Sequence, residues 1–230
     1  MPAAICKAHG LAFFAVPKAA STSMKMVLYE LEHGRPWTGE PDRVHPRFPT
    51  RPITEEDFAV TEGLWRYTII RDPVSRLLSA YGNRVLHHRD IRRDAAPRRR
   101  DRLLFRLRHR GLSLYPDQDS FYCNLDRYQR LSYSIWHHTA PISTFIGTDL
   151  SRFDAIYRVE DLPALQAELG RRTGRPIALP REQTEGAKIT LDMLSARARD
   201  AVLSQTDPDY ALLKDYYGPP ERGPAARLGD

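Results

Sequence analysis

Leu11-Ala-Phe-Phe-Ala-Val16 runs directly into Pro17-Lys-Ala-Ala-Ser-Thr-Ser23, and then into Met24-Lys-Met-Val-Leu-Tyr-Glu-Leu-Glu32. Six apolar residues closed by a proline predict a short, fully buried strand of the parallel-sheet type. A helix is predicted from about Thr22 to Glu32, because Met24, Val27, Leu28 and Leu31 fall on one face and Gly34 stands where a C-terminal cap belongs. A helix that starts straight after a buried strand aims its unbonded N–H groups and the positive end of its dipole at one spot. Ser21, Thr22 and Ser23 add hydroxyl donors there and Lys18 adds a full charge, so the turn is fitted to an anion. The glycine-rich nucleotide loop that ends in lysine and a hydroxyl is a poor match. Both of its glycines are missing and the lysine precedes the hydroxyls, which disfavours a standard ATP or GTP site. The competing reading of the same residues is a hydroxylated helix cap beside a solvent lysine.

A second strand-to-helix junction follows. Trp65-Arg-Tyr-Thr-Ile-Ile70 reads as a strand, Arg71 leaves its carboxyl end, and Asp72-Pro73 supplies a helix cap and a proline at the first helical position. That helix is expected to continue through Leu77, Leu78, Tyr81 and Val85. Open α/β sheets bind ligands at the carboxyl ends of their strands. Ser79, about two turns into the helix, can turn back toward the same anion. Lys18 with its hydroxyls at one strand end, and Arg71 with Ser79 at the other, suit a ligand carrying phosphates at two separated positions.

Outward from these junctions, residues 35–56 hold five prolines and read as a loop. Phe121, Leu125, Tyr128 and Leu131 predict a helix after Pro116, and Ala155-Ile-Tyr-Arg-Val159 predicts another buried strand. A helix from Asp161 to about Arg172 and two more, from Ser195 to Gln205 and from Pro208 to Tyr217, complete the pattern. Such alternation predicts an α/β fold: one domain over residues 1–217, with a P-loop-like central parallel sheet flanked by helices, and a disordered Gly/Pro-rich tail over 218–230.

The 230 residues suit that single domain, which should bury roughly 70–75% of its unfolded surface. A 41% hydrophobic and 28% charged composition excludes wholesale disorder. No apolar run approaches the ~20 residues of a membrane span. Two cysteines exclude a disulfide framework and point to a reduced, cytoplasmic setting, and no Cys/His/carboxylate cluster has zinc-like spacing, so no metal is expected. The net charge of +6 is local in origin. From Arg89 to Arg110 there are ten arginines against three aspartates, whereas the rest of the chain holds 25 basic and 26 acidic residues. This insertion, about 89–112, reads either as a solvated segment that aids solubility or as a surface for a polyanion such as nucleic acid, an acidic glycan or a phosphate-rich membrane.

Val16-Pro-Lys-Ala-Ala-Ser-Thr-Ser23 resembles the 5′-phosphosulfate loop of the sulfotransferases, and Ile70-Arg-Asp-Pro-Val-Ser-Arg-Leu-Leu-Ser-Ala-Tyr81 resembles their 3′-phosphate motif. Within that superfamily the chain is most similar to the carbohydrate type, including the chondroitin, HNK-1 and heparan 2-O-sulfotransferases. His138-Thr-Ala-Pro141, Tyr157-Arg-Val-Glu-Asp-Leu162 and Asp207-Pro-Asp-Tyr-Ala-Leu-Leu-Lys-Asp-Tyr-Tyr217 resemble three further segments of that group, with Thr139 in place of an aromatic residue.

The resemblance implies 3′-phosphoadenosine 5′-phosphosulfate (PAPS) as donor and no metal. Lys18 would meet the leaving phosphate oxygen. Pro17, Ala19, Ala20, Ser21, Thr22 and Ser23 would form the 5′-phosphate cradle, and Arg71 and Ser79 would hold the 3′-phosphate. His45, in the loop between the motifs, is the first choice of general base and His138 the second, with Glu62 and Glu160 as carboxylate alternatives. Arg181, Thr184 and Lys188 fall where the family often adds a phosphate contact. The acceptor is expected to be a carbohydrate-type hydroxyl, acidic glycans included, reached in the cytoplasm or, for an animal-type enzyme, in a trimmed lumenal catalytic domain. Two other readings stand beside it: a P-loop kinase or NTPase, and a non-catalytic polyanion-binding module built on Arg98 to Arg110.

Overall fold

The computed structural model describes residues 3–180 and 187–221. The chain groups into two compact units, each made from two stretches: residues 1–72 with 141–184, and 73–140 with 185–230.

The first unit holds the sheet. Its strands are β1 (Ala3–Cys6), β2 (Leu11–Phe14), β3 (Trp65–Ile70) and β4 (Ala155–Arg158), hydrogen-bonded in that order. Neighbours β2, β3 and β4 are parallel, with Phe13 beside Tyr67 and Ile69 beside Tyr157. This is the α/β class and the mainly parallel sheet expected. β1 was not foreseen. It pairs antiparallel to β2 through a one-turn connection, Lys7–His9, closed by Gly10 at φ 62°.

Alternation along the strands sends Phe13 and Tyr67 to one face, where their rings lie 5.2 Å apart. Phe14 goes to the other, packing against Phe58 and Phe153 at 5.3 and 5.1 Å. The helix Ser21–His33 buries Met24, Val27, Leu28 and Leu31, and Gly34 caps it at φ 70° with its N–H on the Glu30 carbonyl. That helix packs against β1, and the helix Leu162–Thr173 packs against β4.

The second unit is helical. Its core gathers Leu77, Leu78, Tyr81, Phe121, Tyr128, Val202 and Tyr210 from helices including Pro73–Ala80, Gln118–Cys123, Leu125–Leu131 and Ala196–Leu212. The helix begun at Pro73 widens into a π-helical segment at Tyr81–His87, where the His88 N–H reaches back five residues to the Asn83 carbonyl. Within it, a Cβ on Gly82 would stand 2.2 Å from the carbonyl oxygen of Ala187, so only glycine permits that approach.

Two expectations are corrected here. The stretch after Pro116 forms two helices that meet at Asn124, not one. The C-terminal pair is one helix, Ala196–Leu212, which runs through Pro208. Proline removes a single N–H donor, and the buried stripe of Val202, Leu203, Thr206, Asp209 and Tyr210 carries across it, so packing outweighs the break. The expectations for Arg181, Thr184 and most of the tail, residues 222–230, lie outside the described residues.

Candidate active site

The turn between β2 and the helix Ser21–His33 has an unusual backbone. Lys18 and Ala20 both sit in the left-handed region, at φ 68° and 53°, although neither is glycine. Each such residue costs about 1–2 kcal/mol, and strain of this kind persists only where the surrounding structure holds the backbone in place. The N–H of Ala19 bonds the Val16 carbonyl, and the first helical bond is Met24 N–H to the Ala20 carbonyl. The backbone N–H groups of Ser21, Thr22 and Ser23 therefore precede the helical ladder and point out of its end. Left-handed turns of this type gather successive N–H groups into a concavity for an anion. The side chains of Ser21, Thr22 and Ser23 are buried around it, Pro17 and Ala19 are buried behind it, and Lys18 is half-buried at its edge.

The neighbouring strand end joins this loop. β2 and β3 are parallel, so their carboxyl ends lie side by side, and the Arg71 Nη1 donates to the Lys18 carbonyl oxygen at 3.4 Å. Lys18 and Arg71, singled out from separate motifs, thus belong to one edge of the sheet.

A second layer lies beneath. His45 Nε2 is 3.1 Å from the Thr22 hydroxyl, and its Nδ1 is 3.2 Å from Lys25 Nζ. Lys25 also donates to the Thr50 hydroxyl at 2.6 Å. Lys25 is 1% exposed, and burial lowers its pKa to about 7. Sequence reasoning placed His45 near the site but missed Lys25 and Thr50. The available signal was spacing: Lys25 follows Thr22 by three residues and so shares its helix face.

The remaining candidates are placed separately. Ser79 lies in the helix Pro73–Ala80, half-buried, with its hydroxyl donating to the Arg76 carbonyl at 2.7 Å. His138 stands in the last turn of the helix Tyr133–Thr139 and donates from Nδ1 to the Ser134 carbonyl at 2.8 Å, which makes Nε2 the basic nitrogen. Lys188 is exposed and follows Ala187, the residue seated on Gly82. Glu160 is exposed just beyond the carboxyl end of β4. Glu62 is corrected: it precedes β3, at the opposite end of the strand from Arg71, beside an open cleft of about 1120 Å³ lined by Trp65, Arg152 and Arg172. A six-residue strand spans about 20 Å, which removes Glu62 from the anion loop.

A mainly parallel sheet with a hydroxyl-rich turn at the end of one strand and an arginine at the end of the next defines an α/β protein of P-loop-like class. The family model described as the sulfotransferase family matches residues 1–217, and the chain belongs to that family. Comparison with curated proteins and with solved structures gives no match. The chain is thereby a transferase of sulfuryl groups, from a family that pairs a nucleotide donor with a hydroxyl acceptor. Among the described residues no helix is long and apolar enough to cross a membrane.

Proposed function

We propose that the protein moves a sulfuryl group from PAPS to a hydroxyl of a carbohydrate-type acceptor. The observation that carries this reading is the meeting of the Lys18 loop with Arg71 at adjacent strand ends. The donor set fits a nucleotide with phosphates at two positions: backbone N–H groups, three buried hydroxyls, an ammonium and a guanidinium, all preferring anions. PAPS, when bound, supplies an activated sulfuryl group whose transfer leaves added negative charge on a phosphate oxygen. Lys18 stabilises that charge, while Ser21, Thr22 and Ser23 hold the 5′-phosphate. Arg71 holds the 3′-phosphate, with Ser79 assigned to it from the sequence motif alone and Lys188 assigned a further phosphate contact from the family resemblance alone.

Titration calorimetry tests the donor. Adenosine 3′,5′-bisphosphate is expected to bind at least tenfold more tightly than ADP, and Arg71→Gln to erase the difference, because one charge-assisted contact accounts for it. Equal affinity for the two nucleotides would remove the 3′-phosphate assignment, and preferential binding of magnesium-ATP would favour the kinase reading.

His45 is the proposed base. Its Nε2 exchanges the Thr22 hydroxyl for the acceptor hydroxyl and takes the proton, and Thr22 turns to the phosphate. For Nε2 to take that proton, the neutral imidazole must already carry its hydrogen on Nδ1, facing Lys25, where a neutral amine can accept it and an ammonium cannot. With a pKa of about 7, Lys25 has that amine available near neutrality. Activity is expected to rise with pH through about 7. Lys25→Met is expected to lose that limb of the profile and about tenfold in kcat. An unchanged profile would count against the pairing.

Stability gives a separate reading. The folded state releases the Lys25 proton at about 7, whereas the unfolded chain keeps it up to about 10.5. The unfolded state therefore holds more protons in that window, and Lys25 makes stability rise with pH across it. Urea melts at pH 7 and 9.5 should show this rise in the parent relative to Lys25→Met.

A further inference from the structure

We propose that the helix Arg99–Arg108 is an interfacial anchor that lays the protein on an anionic lipid surface. This proposal is independent of the sulfuryl-transfer reading and accounts for the arginine-rich segment, which that reading leaves without a role.

Successive residues of a helix are rotated by about 100°, which sorts this one into faces. Phe105 is its buried anchor, 4% exposed, with its ring 5.0 Å from that of His109. Leu103 and Leu107 lie on the opposite side, 65% and 63% exposed, and Leu104 stands beside them at 46%. Three leucines turned outward on ten residues is not how a helix that merely aids solubility is built. Arg99 and Arg106 flank that stripe on one side and Arg108 on the other, all exposed, and Arg100 stands within it.

The acidic residues of the segment are turned elsewhere. Asp90 is fully buried and held by Arg84, Arg93 and the Ser134 hydroxyl. Asp94 is engaged by Arg93 and the Ser132 hydroxyl. Asp101 accepts from the Arg98 backbone N–H and pairs loosely with Arg100. The outward charge is consequently almost purely positive.

Apolar side chains flanked by arginines match the boundary between acyl chains and phosphate headgroups: the leucines enter the apolar layer, and the arginine stems extend to the phosphates. A second copy of the chain fits poorly, because a shared leucine seam would set arginine against arginine. Nucleic acid fits poorly too, because it offers nothing to the leucines and the one aromatic ring of the helix faces inward.

The test is flotation of the full chain with vesicles of phosphatidylcholine alone, and with vesicles in which about one third is phosphatidylserine. Binding is expected to the anionic vesicles and to fall with salt. Neutralising Arg99, Arg106 and Arg108 to glutamine should weaken it roughly a hundredfold. Leu103→Ser with Leu107→Ser should weaken it at least tenfold while leaving the affinity for a single-stranded DNA oligonucleotide unchanged. Both leucines are exposed, so the fold is retained, and urea melts of the variant check this. If the leucine variant binds anionic vesicles as the parent does, the face is a polyanion surface and the proposal fails. It fails equally if no vesicle binds, or if the parent sediments as a dimer that the leucine changes dissolve.

Discussion

Lys18→Ala is expected to slow sulfuryl transfer by about 10²–10³-fold in kcat while weakening bisphosphate binding less than about tenfold. The asymmetry follows from where the charge develops. In the proposed complex the resting phosphate would also have the backbone N–H groups at the start of the helix and three buried hydroxyls, so loss of one ammonium at the edge would be partly covered. Negative charge added as the bond to sulfur breaks has no other full positive charge in the loop to meet it. Lys18→Arg should recover only part of the rate, because a planar guanidinium cannot reproduce a compact ammonium in a left-handed turn. Steady-state kinetics beside calorimetry decides the matter. Equal losses in rate and affinity would make Lys18 a binding residue and nothing more.

Arg76→Met is expected to destabilise the protein by about 3–5 kcal/mol. Arg76 is 2% exposed, an unusual position for a guanidinium. It pairs with the buried carboxylate of Asp209 at 3.4 Å, donates to the Ala140 carbonyl, and lies 3.5 Å from the carbonyl of His138. It therefore ties the helix Pro73–Ala80 to the helix Ala196–Leu212 and to the end of Tyr133–Thr139. Methionine fills much of the volume but removes a charged donor from a buried carboxylate and from a buried carbonyl. Adding Asp209→Leu should restore most of the loss, since an apolar pair leaves no stranded charge. Urea unfolding of the two variants checks both statements. A single variant within 1 kcal/mol of the parent would mean that Arg76 is a passive filler.

The contrast between these two residues bears on how much of the molecule is legible in its sequence. Lys18 and Arg71 could be found because each ends a run of apolar residues at a breaker, and such punctuation survives folding. β3 was readable residue for residue on the same ground. β1 was not, because Ala3-Ala-Ile-Cys6 has little strand preference of its own and owes its conformation to pairing with β2. Lys25 was hidden by its type, since a lysine within an amphipathic helix ordinarily marks the wet face. Here Thr50 and His45, from a proline-rich loop, close over it. Arg76 was visible only as one residue of a motif, and nothing in its neighbours announces a partner 133 positions away. What sequence periodicity conveys is which face of an element is covered, not which distant polar group covers it.

The division of the sheet among separate stretches has a consequence for the nascent chain. β3 ends at Ile70, but its parallel partner β4 begins only at Ala155. At translation speeds of about 5–20 residues per second, β3 waits several seconds with one edge unpaired. Ile69 and Ile70, fully covered in the finished sheet, are open during that interval. An exposed apolar edge of this kind is a template for pairing between chains, so expression yield should depend on chaperone supply and on elongation rate through residues 71–154 more than on the stability of the finished fold.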